Sequence, residues 1–112
     1  MSRVTRADDA VFRAISDPTR RRILDALAES EQAVGELVAL FDVSQPAVSQ
    51  HLRVLADAGL VQARRDGRRR LYRLRGRRLR AVHDWSAHYA RFWDERLHAL
   101  GRHLDARAER ES

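Results

Sequence analysis

A mainly α-helical domain carrying one small β-hairpin is the fold class this sequence predicts, and three observations predict it. Apolar residues recur at helical spacing up to about residue 58, the period shortens to two around Asp66-Gly67, and helical spacing returns from about residue 79. At 112 residues with 44% hydrophobic content, the chain has an ordinary single-domain length and apolar material for one modest core. One domain over 1–112 is therefore expected.

Each helix carries its own start and stop signals. Val11, Phe12 and Ile15 form a short apolar face, and the chain then breaks at SDPTRRRIL, where Asp17 suits an N-cap with Pro18 at the first helical position. Ile23, Leu24 and Leu27 supply the buried stripe of a second helix that ends near the polar run ESEQ. Leu37, Leu40 and Phe41, at i, i+3 and i+4, mark a short third helix over 35–41 that stops at Asp42. The fourth follows Ser44, a good N-cap. Val43 and Val48 are placed there as a hydrophobic staple, and Pro46 is tolerated because it lies in the first turn. Gly59 supplies the left-handed residue that ends this helix.

Val48, Leu52 and Leu55 commit one side of the fourth helix to the core. At about 100° per residue, Pro46, Ser49, Gln50 and Arg53 fall together on the opposite side, with Gln45 exposed at the N-terminal end. Two helices joined by the turn DVS make a helix-turn-helix, expected over about 35–58. After Gly59, LVQARRDGRRRLYRL reads as two strands over about 60–74. They flank Asp66-Gly67, a pair suited to a two-residue type I′ turn.

The charge is concentrated in one place. The chain has 22 basic residues, all arginine, against 16 acids, for a net charge of +6. Segment 64–80 holds ten arginines and one acid, whereas 1–63 holds seven against nine and 81–112 five against six. A block of this kind builds a focused positive potential and points to a polyanionic partner. A helix that reads DNA needs side chains that match base edges without grasping every phosphate, which Gln and Ser provide. Gln45, Ser49 and Gln50 are accordingly expected to read bases, with Ser44 and Pro46 completing the set at the first turn. Arg64, Arg65, Arg68, Arg69 and Arg70, around the hairpin tip, are expected at phosphates or in the minor groove, and Arg53 and His51 at phosphates. Arg20, Arg21 and Arg22 read either as a solvated or salt-bridged first turn or as a further phosphate contact.

Other chemistries lack their residues. Without cysteine there is no disulfide framework, thiol nucleophile or cysteine metal site. Ser49, His51 and Asp57 share one short helix with no oxyanion cradle, so no catalytic residue is expected. No apolar run is long enough to span a bilayer and MSRVTRADDA lacks the apolar stretch of a signal peptide, so a cytoplasmic, nucleoid-bound protein is expected.

From 79 to 104 the steps are three and four: Val82, Trp85, Tyr89, Phe92 and Trp93, Leu97, Leu100, Leu104. Such a helix runs about 25 residues, or about 38 Å, longer than so small a domain can cover. Four of the seven aromatics lie between Trp85 and Trp93. An apolar stripe left over in this way is best buried against a second copy, with Phe12 joining the interface. A small apolar ligand at that seam is the alternative.

The stretches ISDPTRRRILDAL, VGELVALFDVSQPAVSQHLRVLADAGLV and RRDGRRRLYRL, in this order and spacing, resemble the ArsR/SmtB-type winged helix-turn-helix repressors of bacteria. The resemblance covers roughly residues 12–74. It implies a homodimer on double-stranded DNA at an inverted-repeat operator, often in the promoter of its own transcription unit. The hairpin is then the wing and the last helix the dimerisation element. Many members of the family release DNA when metal binds, some through cysteines just before a Glu-Leu pair. Here those places read Ala33-Val34-Gly35. Others use Asp, His and Glu on the last helix with an Asp-x-His start; this chain has Asp84, His88, His98 and His103, but Ser86 stands where that histidine would be. No metal, cofactor or obligatory small molecule is therefore expected, and no membrane partner. A metal- or ligand-responsive repressor, or a protein-interaction module with little base reading, remains the alternative on the same fold.

Overall fold

Capping chemistry sets where the helices begin. A computed structural model of the chain describes residues 5–93 and 100–101. The first helix, α1 (Arg6–Ile15), opens with a reciprocal cap: Asp8 N–H donates to Thr5 Oγ1 and Thr5 N–H to Asp8 Oδ2, both at 3.1 Å. Asp17 caps α2 (Pro18–Glu29) by accepting the Arg20 N–H at 2.9 Å, with Pro18 in the first turn as expected. Next come β1 (Gln32–Ala33) and α3 (Val34–Leu40), whose start is closed by Ala33 N–H donating to Glu36 Oε1 at 3.0 Å. Then α4 (Gln45–Asp57) follows Ser44, whose Oγ accepts the Ala47 N–H at 3.3 Å.

The end of α4 is a Schellman motif. Leu60 N–H donates to the Leu55 carbonyl and Gly59 N–H to the Ala56 carbonyl, both at 2.9 Å, with Gly59 at φ +77° and Leu55 and Leu60 fully buried. This cap turns the chain directly into the antiparallel ribbon β2 (Val61–Asp66) and β3 (Arg69–Leu74).

The chain divides into two compact units, Met1–Ala81 and Val82–Ser112. The core of the first takes Val11 and Ala14 from α1, Ile23, Leu24 and Leu27 from α2, Leu37 from α3, and Val48, Leu52 and Leu55 from α4. Leu60, Val61 and Leu71 close it from the ribbon side. The second unit is described below.

Four expectations need correction. The hairpin loop is Gly67-Arg68 rather than Asp66-Gly67, because the register pairs Asp66 with Arg69 and leaves Asp66 as the last strand residue. Only Gly67 has positive φ (64°), which is the type II′ pattern and keeps the Arg68 Cβ out of the left-handed region. The sheet also has a third strand: β1 pairs with β3, Gln32 opposite Tyr72 and Ala33 opposite Leu71, in the order β1-β3-β2. Two residues are too few to display a period, so this strand left no mark in the sequence. The turn between α3 and α4 runs from Phe41 to Ser44, one residue longer than DVS, since Phe41 already has extended backbone at ψ 148°.

The last correction concerns the single helix expected from residue 79. A short 3₁₀ turn, Gly76–Leu79, leads into α5 (Arg80–Ala87); His88 and Tyr89 form a turn, and residues 90–93 are helical again. Ser86 Oγ donates to the His83 carbonyl at 3.0 Å, and the next amides tighten: His88 N–H reaches Trp85 O and Tyr89 N–H reaches Ser86 O. Serine bonding back to its own helix competes with the i→i−4 ladder at this turn. The expected positions Leu97 and Leu104 lie outside the described residues.

Candidate nucleic-acid interface

The fourth helix is held by one face and open on the other. Val48, Leu52 and Leu55 are fully buried, while Ser44, Gln45, Pro46, Ser49, Gln50 and Arg53 are exposed. Three buried branched side chains fix the helix in rotation, so the polar side chains leave it in set directions. His51 stands at the flank of this face. It is half-buried, and its Nδ1 lies 3.4 Å from Arg20 Nη1 on α2, which turns it toward the body of the domain.

Arg20 and Arg21 have a task that sequence reasoning missed. Arg20 Nε donates to the Ala14 carbonyl at 2.6 Å and Nη2 to Arg13 O at 3.2 Å, while Arg21 Nη1 donates to Ile15 O at 2.7 Å. Two guanidinium groups from the start of α2 thus donate to carbonyls at the end of α1, among them Arg13 O, which also accepts the Ser16 N–H and Oγ–H. A short break after an apolar helix, followed by consecutive arginines, is the signal that was available.

The ribbon sorts its arginines by face. Alternation along the strands sets Arg64, Arg69 and Leu71 on one side and Arg65, Arg70, Ala63 and Tyr72 on the other, with Arg65 directly opposite Arg70. On the first side Arg64 and Arg69 are paired with acids, while Arg73 Nη2 donates to Gln62 Oε1 at 2.9 Å. Arg64 Nη2 meets Glu31 Oε2 at 2.8 Å with a further bond from Nε, and Arg69 Nη1 stands 3.5 Å from Glu36 Oε1. The hydrogen bond from Arg64 holds the Glu31 carboxyl below the ordinary carboxylate range, and Glu31 in turn raises the Arg64 guanidinium. At the turn and on the other side, the guanidinium groups of Arg65, Arg68 and Arg70 make no hydrogen bond or ion pair among the described residues. Of the five hairpin arginines expected at DNA, these three are open to a phosphate. Arg64 and Arg69 would have to leave a carboxylate first.

The family of bacterial regulatory proteins called arsR matches residues 17–63. The HTH-type transcriptional regulator Rv2034 of Mycobacterium tuberculosis is 40% identical over 104 residues, covering 93% of this chain and 94% of that protein. The chain belongs to the ArsR family. The transcriptional repressor SdpR of Bacillus subtilis, another relative, is 36% identical over 87 residues, 78% of this chain and 97% of its own length. Among solved structures, the homodimeric winged helix-turn-helix DNA-binding domain of Mb0332 from Mycobacterium bovis superimposes with a TM-score of 0.63 at 28% identity. It covers 77% of this chain and 82% of that one. The ribbon β2–β3 is therefore the wing of this ArsR-family chain, and α3–α4 its helix-turn-helix.

In the second unit, Trp85, Tyr89, Phe92 and Trp93 are each about half exposed, at 51%, 50%, 56% and 50%, and Leu100 is 54% exposed. Trp85 and Tyr89 meet edge to face with ring centroids 5.5 Å apart, and Arg91 stands over the Phe92 ring at 5.1 Å. Val82 and, in the first unit, Phe12 are half-buried. Leu97, His98 and His103 lie outside the described residues. Among the described residues no three His, Asp or Glu side chains gather around a common point, and the helix start offers only His83 Nδ1 at 3.5 Å from Asp84 Oδ1.

Proposed function

We propose that this protein is a homodimeric transcriptional repressor that binds an inverted-repeat operator in double-stranded DNA and controls its own transcription unit. The observation that carries this reading is the exposed polar face of α4 over a fully buried Val48, Leu52 and Leu55. Gln45, Ser49 and Gln50 read base edges in the major groove, with Ser44 and Pro46 at the helix entry. Arg53 with Arg65, Arg68 and Arg70 holds phosphates on either side of that groove, and the remaining hairpin arginines, Arg64 and Arg69, brace the wing. His51, beside Arg20 at the flank of α4, stands at the edge of that phosphate-holding set.

The second copy docks through Trp85, Tyr89, Phe92 and Trp93, joined by Val82, Leu97, Leu100 and Phe12. Half-exposed aromatic rings in such number favour burial against a like surface, and the Mycobacterium bovis relative is itself a homodimer. DNA binding needs no metal or cofactor, since the chain has no cysteine and Ser86 replaces the helix-start histidine. The protein works by occupying DNA and is not an enzyme.

Purified protein titrated onto the DNA upstream of its own gene, across a salt series and with competitor DNA, tests this. Binding that resists competitor and is unchanged by chelator or added zinc is expected. Binding no stronger than to competitor would refute autoregulation, and release by zinc would refute metal independence.

A further inference from the structure

Arg75, Arg77, Arg78 and Arg80 lie beyond the wing and take no part in the reading face. With Ala56, Gly59, Val61 and Gln62 they line a cavity of about 660 Å³ at the foot of the wing, and among the described residues no acid lines it. That volume falls within the range of small-molecule sites. Four arginines of this fold are answered by the chain itself: Glu31 and Glu36 meet Arg64 and Arg69, and helix carbonyls meet Arg20 and Arg21. Here, among the described residues, the guanidinium groups of Arg75, Arg77 and Arg78 make no hydrogen bond or ion pair.

The cluster is held in place from behind. Arg75 N–H donates to the Leu60 carbonyl at 2.7 Å, tying this strand end to the cap of α4. The Arg78 side chain lies so close over Gly59 that a Cβ there would stand 2.5 Å from its Nε and 2.6 Å from its Cδ. The glycine that closes α4 therefore also makes room for Arg78. Like charges around one hollow repel one another, and a multivalent anion removes that repulsion while engaging several N–H donors at once.

We propose that this cavity binds a small phosphorylated molecule through Arg75, Arg77 and Arg78, with Arg80 beside them. Phosphate suits the lining because each group brings up to two charges and three strong acceptor oxygens, matched by the guanidinium fork. A DNA phosphate offers the same chemistry. The free molecule is favoured because the site is concave and lies about 17 Å from the wing tip, the length of a six-residue strand. The cavity wall joins the end of α4 to the start of β2, so an occupant acts on both elements assigned to DNA. That coupling rests on the proposed function, whereas the binding itself does not.

Inorganic tripolyphosphate is the probe, titrated calorimetrically into the full-length protein and two triple variants, R75Q/R77Q/R78Q and R65Q/R68Q/R70Q, with circular dichroism confirming equal helix content. Saturable binding of one anion per protomer is expected, weakened about tenfold or more in the first variant and unchanged in the second. Absence of saturable binding, or equal loss in both variants, overturns the site by showing only diffuse charge. In a parallel DNA titration the first variant keeps the wild-type salt slope; a slope reduced by about three would assign these arginines to the duplex backbone and overturn the free ligand. Wild-type protein that fails to bind DNA refutes the repressor reading alone, because the calorimetric result is independent of it.

Discussion

In the proposed function Gln50 reads a base edge and Arg68 holds a phosphate, and each assignment carries its own prediction. Gln50 is exposed on a helix whose opposite face is locked, so Gln50→Ala should cost about 1–3 kcal/mol on the cognate operator and leave affinity for random DNA nearly intact. Arg68 is at the wing turn with no side-chain partner among the described residues, and Arg68→Ala should weaken all sequences alike and lower the salt slope by about one. Competition titrations against specific and random duplexes separate the two, and equal loss on all DNA from both changes would refute the division. The Arg64–Glu31 pair gives a pH prediction. Because the Arg64 hydrogen bond lowers the Glu31 titration, the ionised carboxylate stabilises the fold at neutral pH, and that contribution is lost as pH falls through the lowered value. An NMR titration of Glu31 should move upward in Arg64→Gln; no movement would separate the pair from the shift. Asp17 follows the same rule, with the Arg20 amide as the largest cause.

Helix ends decide how the elements are set. Asp17→Ala removes the cap of α2 and should cost about 1 kcal/mol in chemical denaturation. Gly59→Ala should cost about 1–2 kcal/mol from its left-handed backbone alone, and it also displaces Arg78. A Gly59→Ala protein as stable as wild type would remove the Schellman cap from the account of how α4 hands the chain to β2. Both caps were legible in the sequence, because a cap is written within one turn of the helix it closes. The hairpin loop was misplaced by one residue for a related reason. Asp-Gly and Gly-Arg both suit tight turns with glycine, and only the pairing of Asp66 with Arg69 across the ribbon selects between them.

The molecule as a whole brings two units to bear, a DNA-facing body and a helical segment rich in exposed aromatics. Replacing Trp85 and Phe92 together by alanine should convert the dimer to monomers or to insoluble protein, as sedimentation velocity would report; a tight soluble dimer surviving both changes would place the interface elsewhere. Operator binding should fall with dimer loss, since two half-sites bind together only through linked protomers.

The sequence by itself determined the helices, their caps, the polar face of α4 and the concentration of charge in one block. Each of these is written at spacings of one to four residues, the range over which a helix or strand repeats. Only the tertiary structure decided which arginines are committed. Glu31 reaches Arg64 across 33 positions and His51 reaches Arg20 across 31, and no local period records such pairs. Long-range pairing then fixed what the arginine block left open: a charge becomes available to a phosphate or a ligand only where the folded chain brings no carboxylate or carbonyl to meet it.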